Sequence, residues 1–184
     1  VGDSTIAWYE NDGSESFTDH TLNSSADGAI SVHVGDMDGD GDIDVLAASA
    51  FDNTVGWYRN LGSGSFSGEQ LISDAEDNVN SARAVDIDGD GDLDVVSISE
   101  NDNTVTWFLN DGGGSFTAQP DLTTAADGGI HVFAADLDND GDQDILSASL
   151  NDDTIAWYEN LGSDFGDAPS PYPVTRAENG AEHI

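Results

Sequence analysis

Three acidic loops of nine residues carry an aspartate at every other position, and they recur at a spacing of 50 residues. Five carboxylates so close together repel one another, and a protein core cannot absorb them without a partner charge. A hard cation bound through oxygen removes this conflict, and Ca²⁺ accepts about six to eight oxygen ligands in a flexible geometry. We therefore predict three Ca²⁺ sites, at Asp36, Asp38, Asp40, Asp42 and Asp44; at Asp86, Asp88, Asp90, Asp92 and Asp94; and at Asp136, Asp138, Asp140, Asp142 and Asp144.

Two other kinds of acidic loop share part of this pattern. The helical calcium loop of EF-hand proteins matches the first positions, but it requires a bidentate glutamate at its last position. The chain has Ala47, Ser97 and Ser147 there, and the flanking residues are typical of strands. The other alternative is an acidic turn that is solvated by water and binds no metal.

The charge of the chain restricts its partners. Its 184 residues include 38 acidic residues, three arginines and no lysine, for a formal net charge of −35. Nucleic acid is excluded as a partner, because contacts to phosphate groups need lysine and arginine. Membrane insertion is not expected either, because no apolar run approaches the length of a membrane span. The expected dependence on calcium favours the outside of a cell, where calcium is about millimolar.

A second motif, which contains a tryptophan, a further aromatic residue and an asparagine, recurs outside the loops. β-Branched and aromatic residues favour strands. Ile6 and Trp8 point to one face of such a strand and Ala7 and Tyr9 to the other, so both faces are apolar, as in a sheet packed between two others. A hairpin-type turn and a strand led by Phe17, Phe66 or Phe116 follow the first three copies. The four copies of the motif span residues 5–11, 54–60, 104–110 and 154–160.

The order of the motifs predicts an all-β fold made of β-propeller blades. Each blade is a four-stranded antiparallel sheet, and the acidic loop joins its first and second strands. About 3.5 blades are present by this count, in an arrangement that is open or completed by other chain segments. The predicted repeat region is 1–163, followed by a proline-bearing tail at 164–184. The predicted units are 4–22 (partial), 29–72, 79–122 and 129–160 (partial).

At these residues the chain resembles the FG-GAP/VCBS repeat family, whose blades pair an aspartate-rich loop with a Trp-Tyr-x-Asn-Asp-Gly strand and turn. The resemblance implies a calcium-binding β-propeller of a secreted or cell-surface protein. It also implies that loop positions one, three, five and nine supply side-chain ligands. Position seven (Asp42, Asp92 and Asp142) would supply a backbone carbonyl and keep its side chain in solvent. The tail at 164–184 resembles the start of a GEVED-type domain of bacterial extracellular proteins.

These observations predict a non-enzymatic, calcium-binding extracellular module, bacterial in origin, with a structural, adhesion or assembly role. Its expected partners are a cell-surface or polysaccharide ligand and further copies of the chain, which would associate through open blade ends into a larger propeller or a filament. The alternative is an accessory propeller of a secreted polysaccharide-active enzyme whose catalytic part lies outside these residues. No nucleophile elbow, zinc-protease helix or phosphate-binding loop is present in the sequence. His33 and His131 are interpreted as structural residues.

Overall fold

The computed structural model describes residues 4–162, and every regular element in that range is a β-strand. Residues 4–162 contain no helix that is long and apolar enough to cross a membrane. The predicted boundary near 163 and the predicted GEVED-like tail at 164–184 lie outside the described range. The strands are β1 (Ile6–Asn11), β2 (Phe17–Asn23), β3 (Ala29–Gly35), β4 (Asp44–Ser49), β5 (Thr54–Tyr58), β6 (Gln70–Ser73), β7 (Val79–Val85), β8 (Asp94–Ser99), β9 (Val105–Asn110), β10 (Phe116–Ala118), β11 (Gly129–Ala135), β12 (Asp144–Ser149) and β13 (Thr154–Tyr158).

These strands form four antiparallel sheets of consecutive strands. The first sheet contains β1 and β2, the second β3 to β6, the third β7 to β10 and the fourth β11 to β13. The acidic loops join β3 to β4, β7 to β8 and β11 to β12. The predicted all-β fold of propeller-like blades is therefore confirmed, and the four sheets of residues 4–162 do not close into a ring.

The hydrophobic cores lie between successive sheets, as the apolar character of both strand faces requires. Ile6 of the first sheet packs with Tyr58 of the second. Trp57 of the second sheet packs with Phe108 of the third, and a third cluster joins the third and fourth sheets. Burying one large apolar side chain contributes about 1.5–3 kcal/mol to stability. Most of the stability of each sheet therefore depends on its neighbour in the stack.

The fourth strand of the second sheet begins later than the sequence predicts. Phe66 forms only an isolated bridge with Asn60, and β6 starts at Gln70. The register between β5 and β6 shifts at Gly56, and a methyl group at Gly56 would overlap the side chain of Glu69. The chain leaves the ladder between the bridge and β6, and the Glu69 side chain lies against this glycine.

Candidate metal centres

The acidic loops turn back on themselves at a glycine in position six. Gly41, Gly91 and Gly141 have φ angles of 91°, 98° and 104°, in the left-handed region that a residue with a side chain rarely adopts. This turn aims the N–H of the glycine at the carboxylate in position one. The N–O distance is 2.9 Å from Gly41 to Asp36 Oδ2, and the equivalent bonds in the second and third loops measure 3.1 and 3.2 Å. The first aspartate is thereby fixed across the loop.

The aspartates in positions three and five are oriented by short-range hydrogen bonds. In the first loop, Asp40 Oδ1 accepts the N–H of Asp42 at 2.9 Å, and Asp38 Oδ1 accepts the N–H of Asp40 at 3.4 Å. The same pair of bonds occurs in the second and third loops. Each of these bonds uses the Oδ1 atom of its carboxylate, and in the first loop Arg59 contacts the Oδ2 atoms of Asp38 and Asp40.

Each loop brings three carboxylates together, with one oxygen of each within 4.8 Å of the others. In the first two loops these are positions one, three and five, whereas in the third loop position nine (Asp144) replaces position five (Asp140). Asp44 and Asp94, which were predicted as ligands, do not belong to the groups in their loops. The three groups are Asp36, Asp38 and Asp40; Asp86, Asp88 and Asp90; and Asp136, Asp138 and Asp144.

A buried oxygen in the third loop fits a bound cation. Asp136 Oδ1 is shielded from solvent and has no hydrogen-bond partner among the described residues. A buried carboxylate oxygen without a partner is costly unless a cation satisfies it. The donor set consists entirely of carboxylate oxygens, the ligands that hard cations such as Ca²⁺ take, whereas soft metals select sulfur. The three groups could therefore hold metal ions, and their chemistry is compatible with calcium.

The aspartate in position nine anchors each loop. Asp44 is buried, and its Oδ2 accepts the N–H of Met37 at 2.8 Å while its Oδ1 accepts the N–H of Asn60 at 2.7 Å. Asp94 and Asp144 make the same two bonds. Burial raises the pKa of Asp44 and Asp94, and these N–H groups oppose the rise by stabilising the charged carboxylate. Position nine thus ties the loop to the end of the third strand of the same sheet.

The aspartates in position seven do not all point into solvent. Asp42 is exposed, as expected, but Asp92 and Asp142 are only half exposed. Their carboxylates lie over Gly112 and Gly162, the glycines of the turns after the third strands, where an added methyl group would overlap them. The absence of a side chain at these glycines gives the carboxylates the room to fold inward.

Arg59 makes the first loop different from the other two. Its Nε lies 2.7 Å from Asp38 Oδ2, and its Nη2 donates to Asp40 Oδ2 at 2.9 Å. The N–H of Asp42, followed by Arg59, lowers the pKa of Asp40. Leu109 and Glu159 occupy the same place in the motif in the later copies. This contact was not predicted, although a basic residue in one copy of the motif is a visible signal of it in the sequence.

The asparagine that ends the tryptophan motif joins neighbouring blades, which the sequence analysis also missed. Asn110 Nδ2 donates to Leu93 O in its own sheet and to Met37 O in the acidic loop of the preceding sheet, both at 2.9 Å. Asn160 Nδ2 donates to Ile87 O of the preceding loop in the same way, at 2.7 Å. Each of these two acidic loops is therefore held by its own sheet and by the next.

The histidines considered in the sequence lie apart from the acidic groups. His33 Nδ1 accepts the N–H of Ala84 at 3.3 Å, and His131 Nε2 lies 3.4 Å from the Arg83 guanidinium. Burial, with the charge of Arg83 second, lowers the pKa of His33. These contacts join the first strands of successive sheets, and neither histidine belongs to a metal-ligand group in residues 4–162.

Comparison with known proteins identifies the repeat. The model of the FG-GAP-like repeat matches the chain over residues 1–47, 36–97 and 86–147. Each match ends shortly after an acidic loop, at the second strand of a blade, so the matched period is that of the blades. No match was found among curated proteins. Because the matched residues cover most of its length, the chain belongs to the FG-GAP-like repeat family.

Proposed function

We propose that this chain is a calcium-binding, extracellular β-propeller module with a structural, adhesion or assembly role. The observation that carries the proposal is the convergence of three carboxylates in each acidic loop, with oxygens within 4.8 Å of one another. Ca²⁺ is preferred over Mg²⁺, because Mg²⁺ requires a near-ideal octahedron and retains several waters, whereas Ca²⁺ tolerates a flexible set of carboxylates.

The bound metal would stabilise the stack of blades. Without a cation, the carboxylates of each loop repel one another at short range. Position nine fixes the loop to its own sheet, and Asn110 and Asn160 fix two of the loops to the following sheet. A cation that holds the loop together therefore also supports these contacts. Calcium at a hundredfold excess over its dissociation constant would add about 2.7 kcal/mol of stability per site, if the unfolded chain binds none.

The extracellular location and the non-catalytic role are parts of the same proposal. Loops that need calcium for stability suit a compartment where calcium is about millimolar. The hydrogen bonds within each loop hold several carboxylate oxygens close together. This arrangement suits the binding of a cation rather than catalysis by a general acid and a general base. A cell-surface molecule or a polysaccharide remains the proposed ligand class, and further copies of the chain are considered below.

Isothermal titration of the decalcified chain with Ca²⁺ tests the proposal. We expect three bound ions, two in Asp86→Ala, and a clear fall in melting temperature when a chelator is added to the wild type. Asp19→Ala is the control, because it removes an exposed carboxylate outside the loops and changes the net charge equally. An Asp86→Ala variant that still binds three ions, or a melting temperature that does not respond to the chelator, would falsify the calcium assignment.

A further inference from the structure

The chain contains the same seven-residue strand twice. Thr-Ile-Ala-Trp-Tyr-Glu-Asn occupies residues 5–11 and again residues 154–160. Both copies correspond to the third strand of a complete blade. The first copy, β1, pairs with β2, which corresponds to the fourth strand, and the second copy, β13, pairs with β12, which is the second strand. In the described part of the chain, β1 therefore has no second-strand neighbour and β13 has no fourth-strand neighbour.

The second sheet exposes an apolar face beside β1. Val32 is 61% exposed, although Ala82 and Val132, at the same place in the next two sheets, are 1% and 0% exposed. The register pairs Val32 with Ala47, so Val32 faces the first sheet, to which residues 4–162 contribute β1 and β2. An open groove of about 310 Å³ lies between β1 and β3, lined by Ile6, Ala7, Ile30 and Val32 among others. This is the place that the first two strands of a complete blade would occupy.

The opposite end of the stack exposes the complementary face. Ile155 and Trp157 of β13 are 80% and 50% exposed, whereas Val55 and Trp57, their equivalents in the second sheet, are 0% and 4% exposed. The third sheet covers Val55 and Trp57. The fourth sheet thus ends in an apolar face that another blade could cover, and residues 4–162 contribute three strands to it.

We propose that two copies of this chain complete each other by strand exchange, with β1 of one copy replacing β13 beside β12 of the other. The present register pairs Leu146 with Trp157 and Ser147 with Ala156. Because the two seven-residue strands are identical, the same register after the exchange would pair Leu146 with Trp8 and Ser147 with Ala7 of the second copy. The new blade is then β11, β12 and the β1–β2 hairpin of the second copy, with all four strands present.

The burial of the two seven-residue strands indicates which of them leaves its sheet in the exchange. Ile6 is 2% exposed and packs with Tyr58 of the second sheet, whereas Ile155 is 80% exposed. Releasing β13 therefore leaves the existing core between the first and second sheets intact. The backbone pairs that β12 loses are restored by an identical sequence, and β2 arrives already paired with β1. The gain is the burial of the apolar face around Val32 on the second copy.

The number of blades formed by a reciprocal exchange agrees with a ring. Residues 4–162 supply two four-stranded sheets and, after the exchange, one further complete blade. Two copies of this range therefore give six blades related by a twofold axis, and β-propellers typically have about four to eight blades. This inference deepens the assembly role proposed above and depends on it, but it does not depend on which cation the loops bind.

Engineered cysteines test the exchange, because the chain has no native cysteine. Directly opposite residues on antiparallel strands have Cα atoms at about 4.5–5.5 Å, a separation that a disulfide spans. Ser147→Cys with Ala7→Cys should form a disulfide-linked dimer after the full chain is refolded at high concentration in calcium. The matched pair, Ser147→Cys with Ala156→Cys, should form a disulfide within one copy, hold β13 in place and give a monomer that returns to a dimer on reduction.

Light scattering coupled to size exclusion gives the mass of each form, and calcium titration of the same samples tests the loops separately. A dimeric wild type, a linked dimer in the first pair and a monomer in the oxidised second pair would support the exchange. A wild type that stays monomeric at micromolar concentration overturns it, as does a dimer or a filament that persists when β13 is locked. Normal calcium binding in such samples would leave the proposed function standing.

Discussion

The Arg59 guanidinium lies 2.7 Å from Asp38 Oδ2 and also donates to Asp40, so it binds two of the three carboxylates grouped in the first acidic loop. Arg59 is itself exposed, while the Asp38 side chain is only 5% exposed. A cation that enters this loop must compete with a positive charge that the second and third loops do not have at this place.

We expect the first loop to bind Ca²⁺ more weakly than the second, and Arg59→Leu to reduce the difference. Leucine is the residue found at the same place in the motif beside the second loop, at Leu109. Exposed ion pairs have small energies, so the dissociation constant should fall by up to about fivefold. Terbium luminescence, which is excited through nearby tryptophans, and calcium titration both measure the change.

Arg83→Leu is the control for this experiment. It removes the same charge, but Arg83 contacts His131 and Phe133 on the first strands, away from the loops. An equal gain in calcium affinity in both variants would mean that net charge, and not the Arg59 contact, sets the affinity of the first loop.

Asp94→Asn should destabilise the fold even when no metal is present. Both oxygens of Asp94 accept backbone N–H groups, at 2.9 Å from Ile87 and 2.9 Å from Asn110, and the residue is buried. An amide nitrogen cannot accept either bond, so one buried N–H loses its partner at a cost of about 1–3 kcal/mol. Urea unfolding in excess chelator measures this loss without a contribution from calcium.

Asp92→Asn is the matched control, because it removes a carboxylate two residues away in the same loop. The Asp92 side chain lies over Gly112 and is half exposed, so we expect a change within about 0.5 kcal/mol. If the two variants lose the same stability, the anchoring role of Asp94 is wrong.

The sequence predicted the fold because its signals are local. The alternation of the acidic loops and the aromatic strands fixes strand order within each sheet without any long-range information. Phe66 shows the limit of such reasoning, since β6 starts only at Gln70, next to a register shift at Gly56 of the adjacent strand. A strand boundary set by a contact between two strands is not readable from either strand alone.

The acidic groups were predicted more completely than the contacts that support them. Aspartate spacing identified all nine carboxylates that the structure groups together. It did not reveal that Asp44 and Asp94 would use both oxygens for backbone N–H groups, nor that Arg59 would reach into the first loop. These contacts join the loop to the third strand of its sheet, and they depend on the register between strands.

Asn110→Ala should destabilise the protein more than Asn60→Ala. The Nδ2 of Asn110 donates to Leu93 O and to Met37 O of the preceding sheet, whereas Asn60 Nδ2 donates to Ile43 O in its own sheet. Alanine at 110 leaves two carbonyls without this donor, at about 1 kcal/mol or more for each bond. Urea unfolding in chelator should therefore separate the two variants by about 1 kcal/mol. Equal losses would contradict a role for Asn110 in joining the blades.

Glu76 provides a prediction about pH. It is buried in the segment between β6 and β7, at the place that Ala26 and Ala126 occupy in the equivalent segments of the other repeats. Ser97 and Ser99 donate to its Oε2 at 2.9 and 3.1 Å. Burial raises the pKa of Glu76 above its ordinary value of 4.5, although these serines oppose the rise. The charged form is thus disfavoured by folding, and the fold loses stability as the pH rises through the raised pKa.

Glu76→Gln removes this charge and keeps the shape of the side chain, so it should stabilise the protein at neutral pH by on the order of 1 kcal/mol. The advantage should shrink as the pH falls through the raised pKa and vanish below 4.5, where wild-type Glu76 is protonated in both the folded and the unfolded state. Thermal unfolding of both proteins across this range, in chelator, measures the difference. Asp74→Asn, which removes an exposed carboxylate nearby, is the control for the change in net charge. A stability difference that is constant with pH, or that grows in acid, would rule out an unfavourable buried charge at Glu76.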